Sequence, residues 1–351
     1  MMQSVQSHRK DEHVFLAEKF FQAQARAGFQ DVRFVRPALP ELAVADVDLV
    51  QTIAGHTWQW PVVINAMTGG SPTTGKLNAQ LGKLAVRTGL AVASGSESIL
   101  AVEPEQAATF TPLRDENSRG VVIANVGADK PVAVAQTSVS TLGADMLEVH
   151  LNAVQELVMP EGGRDFHWAD NIAHMRAAVD VPLIVKEVGA GMRSDDFALL
   201  ARLGVQYVDV GGRGGTDFAQ IENVRSHQQQ AGDFTDLFDF GQTTVESLLE
   251  AQSDDAQSLH LWATGGVRSA LDVVVALRLG AQVVGIAGLI LHWLTRGDLD
   301  ETTTRLQHLL NEVRGIMALL GAHNVDELRT VPIVISPTLR NYLEQRGLPM
   351  P

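Results

Sequence analysis

The chain has 351 residues, no cysteine, and 27 basic against 41 acidic side chains, for a formal net charge of −14. Without a thiol there is no disulfide framework, Cys-ligated zinc, iron–sulfur cluster or cysteine nucleophile, and the acidic excess disfavours sequence-independent binding of nucleic acid. An apolar fraction of 45% supplies a large core, and the length suits either two domains or one α/β barrel with additions. The N-terminus, from Met1-Met2-Gln3 to Arg9-Lys10-Asp11-Glu12-His13, lacks the apolar run of a secretory signal. No stretch of about 20 uninterrupted apolar residues marks a membrane span. The expectation is a cytoplasmic protein with no nucleic-acid or membrane partner.

In chain order, eight short β-branched runs each end in glycine or a polar residue: Val62-Val63-Ile64-Asn65-Ala66, Leu90-Ala91-Val92-Ala93-Ser94, Gly120-Val121-Val122-Ile123-Ala124-Asn125, Met146-Leu147-Glu148-Val149-His150, Leu183-Ile184-Val185-Lys186, Tyr207-Val208-Asp209-Val210, Leu259-His260-Leu261-Trp262-Ala263 and Val283-Val284-Gly285-Ile286-Ala287. Continuous apolar runs suit strands buried on both faces in a parallel sheet, whereas half-exposed strands would alternate. Amphipathic segments over 76–88, 170–179, 194–203 and 269–279 read as intervening helices, several closed by Gly89, Gly204 or Gly280. Eight such units predict a single (β/α)8 TIM barrel of class α/β. Residues 1–61 form an N-terminal arm and lead-in, and residues 62–351 form the barrel with a C-terminal tail, one domain overall. The interval between the sixth and seventh runs is long. This insert, from Asp217 to Asp255, holds a polar stretch with Gln228-Gln229-Gln230 and a helix-like tract, Thr243-Thr244-Val245-Glu246-Ser247-Leu248-Leu249-Glu250. It reads as a lid or an oligomer contact.

A barrel places its chemistry where the strands end. Thr264-Gly265-Gly266-Val267 and Ala287-Gly288 follow the last two strands, where backbone N–H groups can cradle a phosphate, although tight turns alone would also need glycine. Lys186 ends an apolar strand and requires an anion, either a bound flavin or an internal partner such as Glu187 or Asp209. His150-Leu151-Asn152 with Gln155-Glu156 concentrates donors, acceptors and one carboxylate. That set suits Mg²⁺ shared with substrate phosphates, or equally an ordinary helix start capped by Asn152. Arg9, Lys10 and His13 group three potential cations that alone would read as a solvated helix start.

Together these stretches resemble one family, the type 2, flavin-dependent isopentenyl-diphosphate isomerases. The resemblance rests on Arg9-Lys10-Asp11-Glu12-His13, Asn65-Ala66-Met67-Thr68-Gly69-Gly70, Asn125-Val126-Gly127-Ala128, His150-Leu151-Asn152-Ala153-Val154-Gln155-Glu156, Val185-Lys186-Glu187-Val188-Gly189, Gly214-Gly215-Thr216 and Gly265-Gly266-Val267-Arg268, in family order along nearly the whole chain. It implies interconversion of isopentenyl and dimethylallyl diphosphate in isoprenoid precursor synthesis. The implied cofactors are reduced FMN, NADPH or NADH as reductant, and Mg²⁺, with a homo-oligomer, tetramer or octamer, as the working unit. By the same resemblance Ala66, Met67, Thr68, Ser96, Asn125, Lys186, Thr216, Gly265, Gly266, Ala287 and Gly288 contact FMN. Arg9, Lys10, His13, Asn152 and Gln155 hold substrate, Glu156 binds the metal, and His150 and Gln155 assist catalysis with flavin N5 as the acid–base atom.

Two departures stand out. Ser96-Glu97-Ser98 replaces the Ser-Gln-Arg of many members, and Gly211 stands where a serine often contacts flavin. The alternatives are an FMN-dependent dehydrogenase or oxidase of a 2-hydroxy acid, which usually needs a His/Arg pair near N5, and a non-enzymatic flavin- or phosphate-binding module.

Overall fold

The structure is a computed structural model that describes residues 4–228, 232–253, 256 and 258–351. Eight strands form the barrel: β1 (Val62–Ile64), β2 (Ala91–Ala93), β3 (Val122–Gly127), β4 (Met146–Leu151), β5 (Leu183–Glu187), β6 (Tyr207–Asp209), β7 (His260–Ala263) and β8 (Val283–Ile286). All neighbours run parallel, and β8 closes on β1 through the pair Val284 and Val62. These are the eight apolar runs. Their continuity has the expected cause: Val62 and Ile64 face the helices, while Val63 faces the barrel interior, and all three are fully buried.

Side-chain period along a strand is two, so residues that share the interior face can be read in layers. The first layer is apolar and includes Val63, Ala93, Ile123, Met146, Ile184, Tyr207, Trp262 and Val283. A hairpin of Gln51–Ile53 and His56–Trp58 seals this end, with Trp58 edge-on to Trp262 at 5.5 Å between ring centroids. Two residues further along the same strands the layer becomes Asn65, Gly95, Asn125, Glu148, Lys186, Asp209, Thr264 and Gly285. The switch from apolar to polar turns one end of a packed barrel into a site.

The predicted helices are present as Pro72–Thr88, Ala169–Ala178, Ser194–Arg202 and Ala270–Arg278. Gly89 terminates the first of them in the left-handed region, at φ 69°. The helix-like tract of the insert is the helix Thr244–Glu250, with a capping box between Thr243 and Glu246. It buries Val245, Leu248 and Leu249 against the barrel core, so it is the barrel's own helix and no part of a lid. The extra chain is therefore 217–242. Its helix Phe218–Gln228 packs beside Ala153–Val158 and the N-terminal helix Val5–Lys19. Gln229, Gln230 and Asp255 lie outside the described residues. The arm and the tail are tied by an antiparallel pair, Val32–Phe34 with Ile333–Ile335. The tail itself is helical over Leu299–Leu319 and Pro337–Arg346.

Candidate functional site

A cavity of about 500 Å³ opens at the C-terminal ends of the strands and is roofed by the helix Val5–Lys19. Its floor is the polar layer. Asp209, fully buried, accepts from Lys186 Nζ at 2.8 Å, from Thr264 Oγ1 at 2.8 Å and from Asn65 Nδ2 at 3.1 Å. Of the two internal partners open to Lys186, Asp209 is the one it takes. Glu187 instead accepts the backbone N–H groups of Gly189, Ala190 and Gly191, and burial against those bonds leaves its carboxyl raised to about 7.

Beside Lys186 runs a second chain of contacts. Asn125 Nδ2 donates to Glu148 at 2.8 Å, and Asn125 Oδ1 meets His150 Nδ1 at 2.7 Å. Because Asn125 Oδ1 can only accept, His150 carries its proton on Nδ1 and its Nε2 is free to accept. Burial lowers the His150 pKa to about 3, so the ring is neutral at neutral pH. Burial also pushes Glu148 up to about 7, and its Oε1 has no partner.

The flavin-binding expectations gather on the cavity wall: Ala66, Met67, Thr68, Ser96, Asn125, Lys186, Thr216, Gly265, Gly266, Ala287 and Gly288 all line it. Gly265 adopts φ +106°, and a Cβ there would lie 2.0 Å from Gly212 O, so the backbone comes this close only as glycine. The helix Gly288–Arg296 begins at the cavity without a side-chain cap, its N–H groups free for an anion. A Cβ on Gly288 would stand 3.5 Å from Thr216 Oγ1 and 3.9 Å from Arg268 Nη2. A phosphate cradle at one end and a buried lysine on the floor fit FMN.

The other end of the cavity carries the substrate-binding expectations. Lys10 is buried and donates to Ser96 O at 3.0 Å; Arg9 donates to Glu161 at 3.1 Å; His13 meets Glu222 at 2.8 Å. These side chains are drawn inward, unlike those of a solvated helix start. Burial and the neighbouring Arg9 lower Lys10 to about 7, so an incoming anion would restore its charge. Asn152 does not cap its helix; its Nδ2 donates to Glu156 Oε1 at 2.9 Å, while its Oδ1 is buried and unpaired. Glu156 Oε2 accepts from Gly163 N at 2.7 Å. Among the described residues no group of three or more His, Asp and Glu could hold a metal alone. One carboxylate beside an orphaned amide oxygen fits Mg²⁺ that completes its shell with substrate oxygens and water.

Glu222 escaped the sequence reading. This fully buried carboxylate, on the helix Phe218–Gln228, joins His13, Gln155 Nε2 at 2.9 Å and Arg225. Burial pushes it up, but His13, Arg225 and Gln155 together outweigh that and hold it near 2. Its amphipathic signal is absent because the helix is buried among charges. Glu222→Gln keeps the size and removes the charge that organises Gln155, His13 and Arg225. The expected result is a fall in kcat/KM of about 10- to 100-fold, measured by steady-state turnover of the diphosphate substrate that the resemblance implies.

Both departures have local explanations. Glu97 Oε1 accepts from Ser94 Oγ at 2.7 Å and Asn125 N at 3.3 Å, and burial raises its carboxyl to about 8. A neutral carboxylic acid has nearly the shape of glutamine. Ser98 Oγ accepts from Ser96 Oγ at 2.9 Å and Gly127 N at 3.2 Å, so the turn closes on itself. At Gly211, with φ +48°, a Cβ would lie 1.8 Å from Glu187 O, which leaves no room for serine.

Residues 114–334 match the FMN-dependent dehydrogenase family. The chain is 54% identical over 349 residues to the isopentenyl-diphosphate delta-isomerase of Lacticaseibacillus casei, covering 99% of each. It is 44% identical to the protein of that name from Streptomyces sp., covering 97% of this chain and 93% of the other. The fold is similar to the crystal structure of a mandelate oxidase, with a TM-score of 0.62, 17% identity, and 93% and 91% of the two chains covered. That last likeness speaks for the barrel alone, whereas the match in sequence spans 99% of the chain and so takes in the arm as well as the barrel. On these grounds the chain belongs to the isopentenyl-diphosphate delta-isomerase family, built on the barrel of the FMN-dependent dehydrogenases.

Proposed function

We infer that this chain interconverts isopentenyl and dimethylallyl diphosphate with FMN, by adding one proton and removing another with no net redox change. The observation that carries the reading is the placement of Arg9, Lys10 and His13, on the roof helix, together with Asn152, Gln155 and Glu156 on the cavity wall opposite the phosphate cradle. A small diphosphate would find its cations at one end, with its alkene toward the flavin position. The 2-hydroxy-acid alternative draws no support from the floor: its histidine is neutral and is held by Asn125 rather than by a carboxylate. A binding module without turnover would not require Glu222 to organise Gln155.

In this reading Arg9, Lys10, His13 and a Glu156-bound Mg²⁺ hold the diphosphate, and binding energy remote from the reacting carbons orients the alkene. The roof helix excludes water from a carbocation-like centre. Reduced FMN, when bound, supplies a proton-exchanging nitrogen and an electron-rich ring face. Lys186, held by Asp209, sets a positive charge on the cavity floor. Neutral His150 presents Nε2 as an acceptor, and Gln155, oriented by Glu222, positions the substrate. NADPH or NADH would keep the cofactor reduced, and residues 1–61 would complete the barrel of 62–351 as one domain. Exposed Val44, Leu271 and Leu319 on one side support a homo-oligomer, which the resemblance would make a tetramer or octamer. No helix is long and apolar enough to cross a membrane among the described residues, and the working compartment is taken to be the cytoplasm.

The test is an anaerobic assay in deuterated water with reduced FMN, Mg²⁺ and isopentenyl diphosphate, followed by NMR. Dimethylallyl diphosphate carrying deuterium in the methyl group derived from C4 is expected. Rapid isomerisation by rigorously flavin-free protein, or net oxidation of a hydroxy acid in place of isomerisation, would overturn the reading.

A further inference from the structure

We propose that Phe21, in the arm just beyond the roof helix, is a positioning residue for the FMN phosphate and acts through Arg268. The inference rests on the FMN reading of the cavity. The Arg268 guanidinium lies 4.8 Å from the Phe21 ring centroid, and the ring stacks on His292 with centroids 4.1 Å apart and planes 9° from parallel. Next to Phe21, Gln22 O accepts from Arg268 Nε at 3.1 Å, and Val267 O accepts from Nη1 at 3.1 Å. Those contacts leave Nη2 with no acceptor among the described residues, on the cavity side beside Gly288 and Thr216.

Among the described residues no carboxylate bonds the Arg268 side chain, and burial lowers its pKa against the opposing charge of Asp272. A half-buried guanidinium with one unused edge calls for an anion, and a phosphate accepts such an edge well. The stack fixes more than Arg268. His292 belongs to the helix Gly288–Arg296, whose uncapped start forms the other half of the cradle. Glu18 holds that helix a second time, accepting from His292 Nδ1 at 3.0 Å and from Arg296 Nε at 2.5 Å. Arm residues 18–22 therefore grip both phosphate donors, the guanidinium and the helix start. By reciprocity, a phosphate that favours this arrangement also favours the seated arm, which carries Arg9, Lys10 and His13.

The phosphate dependence gives a readout that a purely structural role would not move. Full-length protein freed of flavin is titrated with FMN and, separately, with riboflavin, following flavin fluorescence, for wild type, Phe21→Ala and Phe21→Tyr. Phe21→Ala is expected to weaken FMN by about tenfold, the loss of one charge-assisted hydrogen bond, and to leave riboflavin unchanged. Phe21→Tyr, which keeps the ring, should bind FMN as wild type does. Phe21→Leu carries the same expectation as Phe21→Ala and keeps the apolar volume if the smaller residue prevents folding. Equal weakening of FMN and riboflavin, or no weakening of either, overturns the proposal. Wild-type protein that binds neither flavin defeats the cofactor reading itself, and the proposal with it.

Discussion

Asp209→Asn is expected to destabilise the protein by about 3–5 kcal/mol, because it strands the buried Lys186 ammonium without its counter-ion. Asp209 is wholly buried, and its carboxylate is shared among Lys186, Thr264, Asn65 and Gly211 N. Asparagine preserves the shape but supplies one oxygen where two accept. Without the negative charge, the Lys186 ammonium loses the partner that holds it on the floor where it would face a reduced flavin. Urea denaturation with and without FMN reads both effects. Removing the charge from both partners, in Asp209→Asn with Lys186→Met, should recover part of the stability and none of the activity. A cost below about 1 kcal/mol for the single variant would show that the pair is not the floor's organising contact.

Lys10→Met is expected to raise KM for isopentenyl diphosphate by about 100-fold, since a buried charged donor to a phosphate contributes a few kcal/mol. The pH dependence gives the sharper test. With the Lys10 pKa lowered to about 7, the free protein carries a charged Lys10 below that value and a neutral one above it. Because kcat/KM reports the free protein, it should fall as pH rises through about 7. A bound diphosphate raises the lysine pKa again, so kcat at saturating substrate should lack this limb. Lys10→Met should remove the limb from kcat/KM as well. A limb that persists in the variant belongs to another group, for which Glu148 and Glu187, both raised to about 7, and Glu97, raised to about 8, are the candidates.

The barrel was legible in the sequence because a strand buried on both faces must be apolar throughout, and eight such runs in series have few other architectures. The change from apolar to polar at Asn65, Asn125, Lys186 and Thr264 was equally legible as the rim of a site, since no packed interior tolerates those groups without partners. The insert was misread in part. Thr243–Glu250 has a clear capping signal, but a capping box says that a helix begins and not which surface it covers. The helix Phe218–Gln228 went unseen, as its buried residues mix Ala219 and Ile221 with Glu222, Asn223, Arg225 and Ser226 and so leave no apolar stripe.

What the sequence determined by itself was therefore the barrel, the rim and the kinds of side chain available there, all consequences of local pattern and strand period. What only the tertiary structure decided was partnership and charge state. Lys186 pairs with Asp209 and not Glu187, His150 is neutral, Lys10 is half-discharged near pH 7, and Glu222 reaches His13 from a position 209 residues away. The reason is physical: a side chain's protonation depends on which dipoles and charges share its low-dielectric surroundings, and chain folding brings those together from residues with no neighbourhood in the sequence.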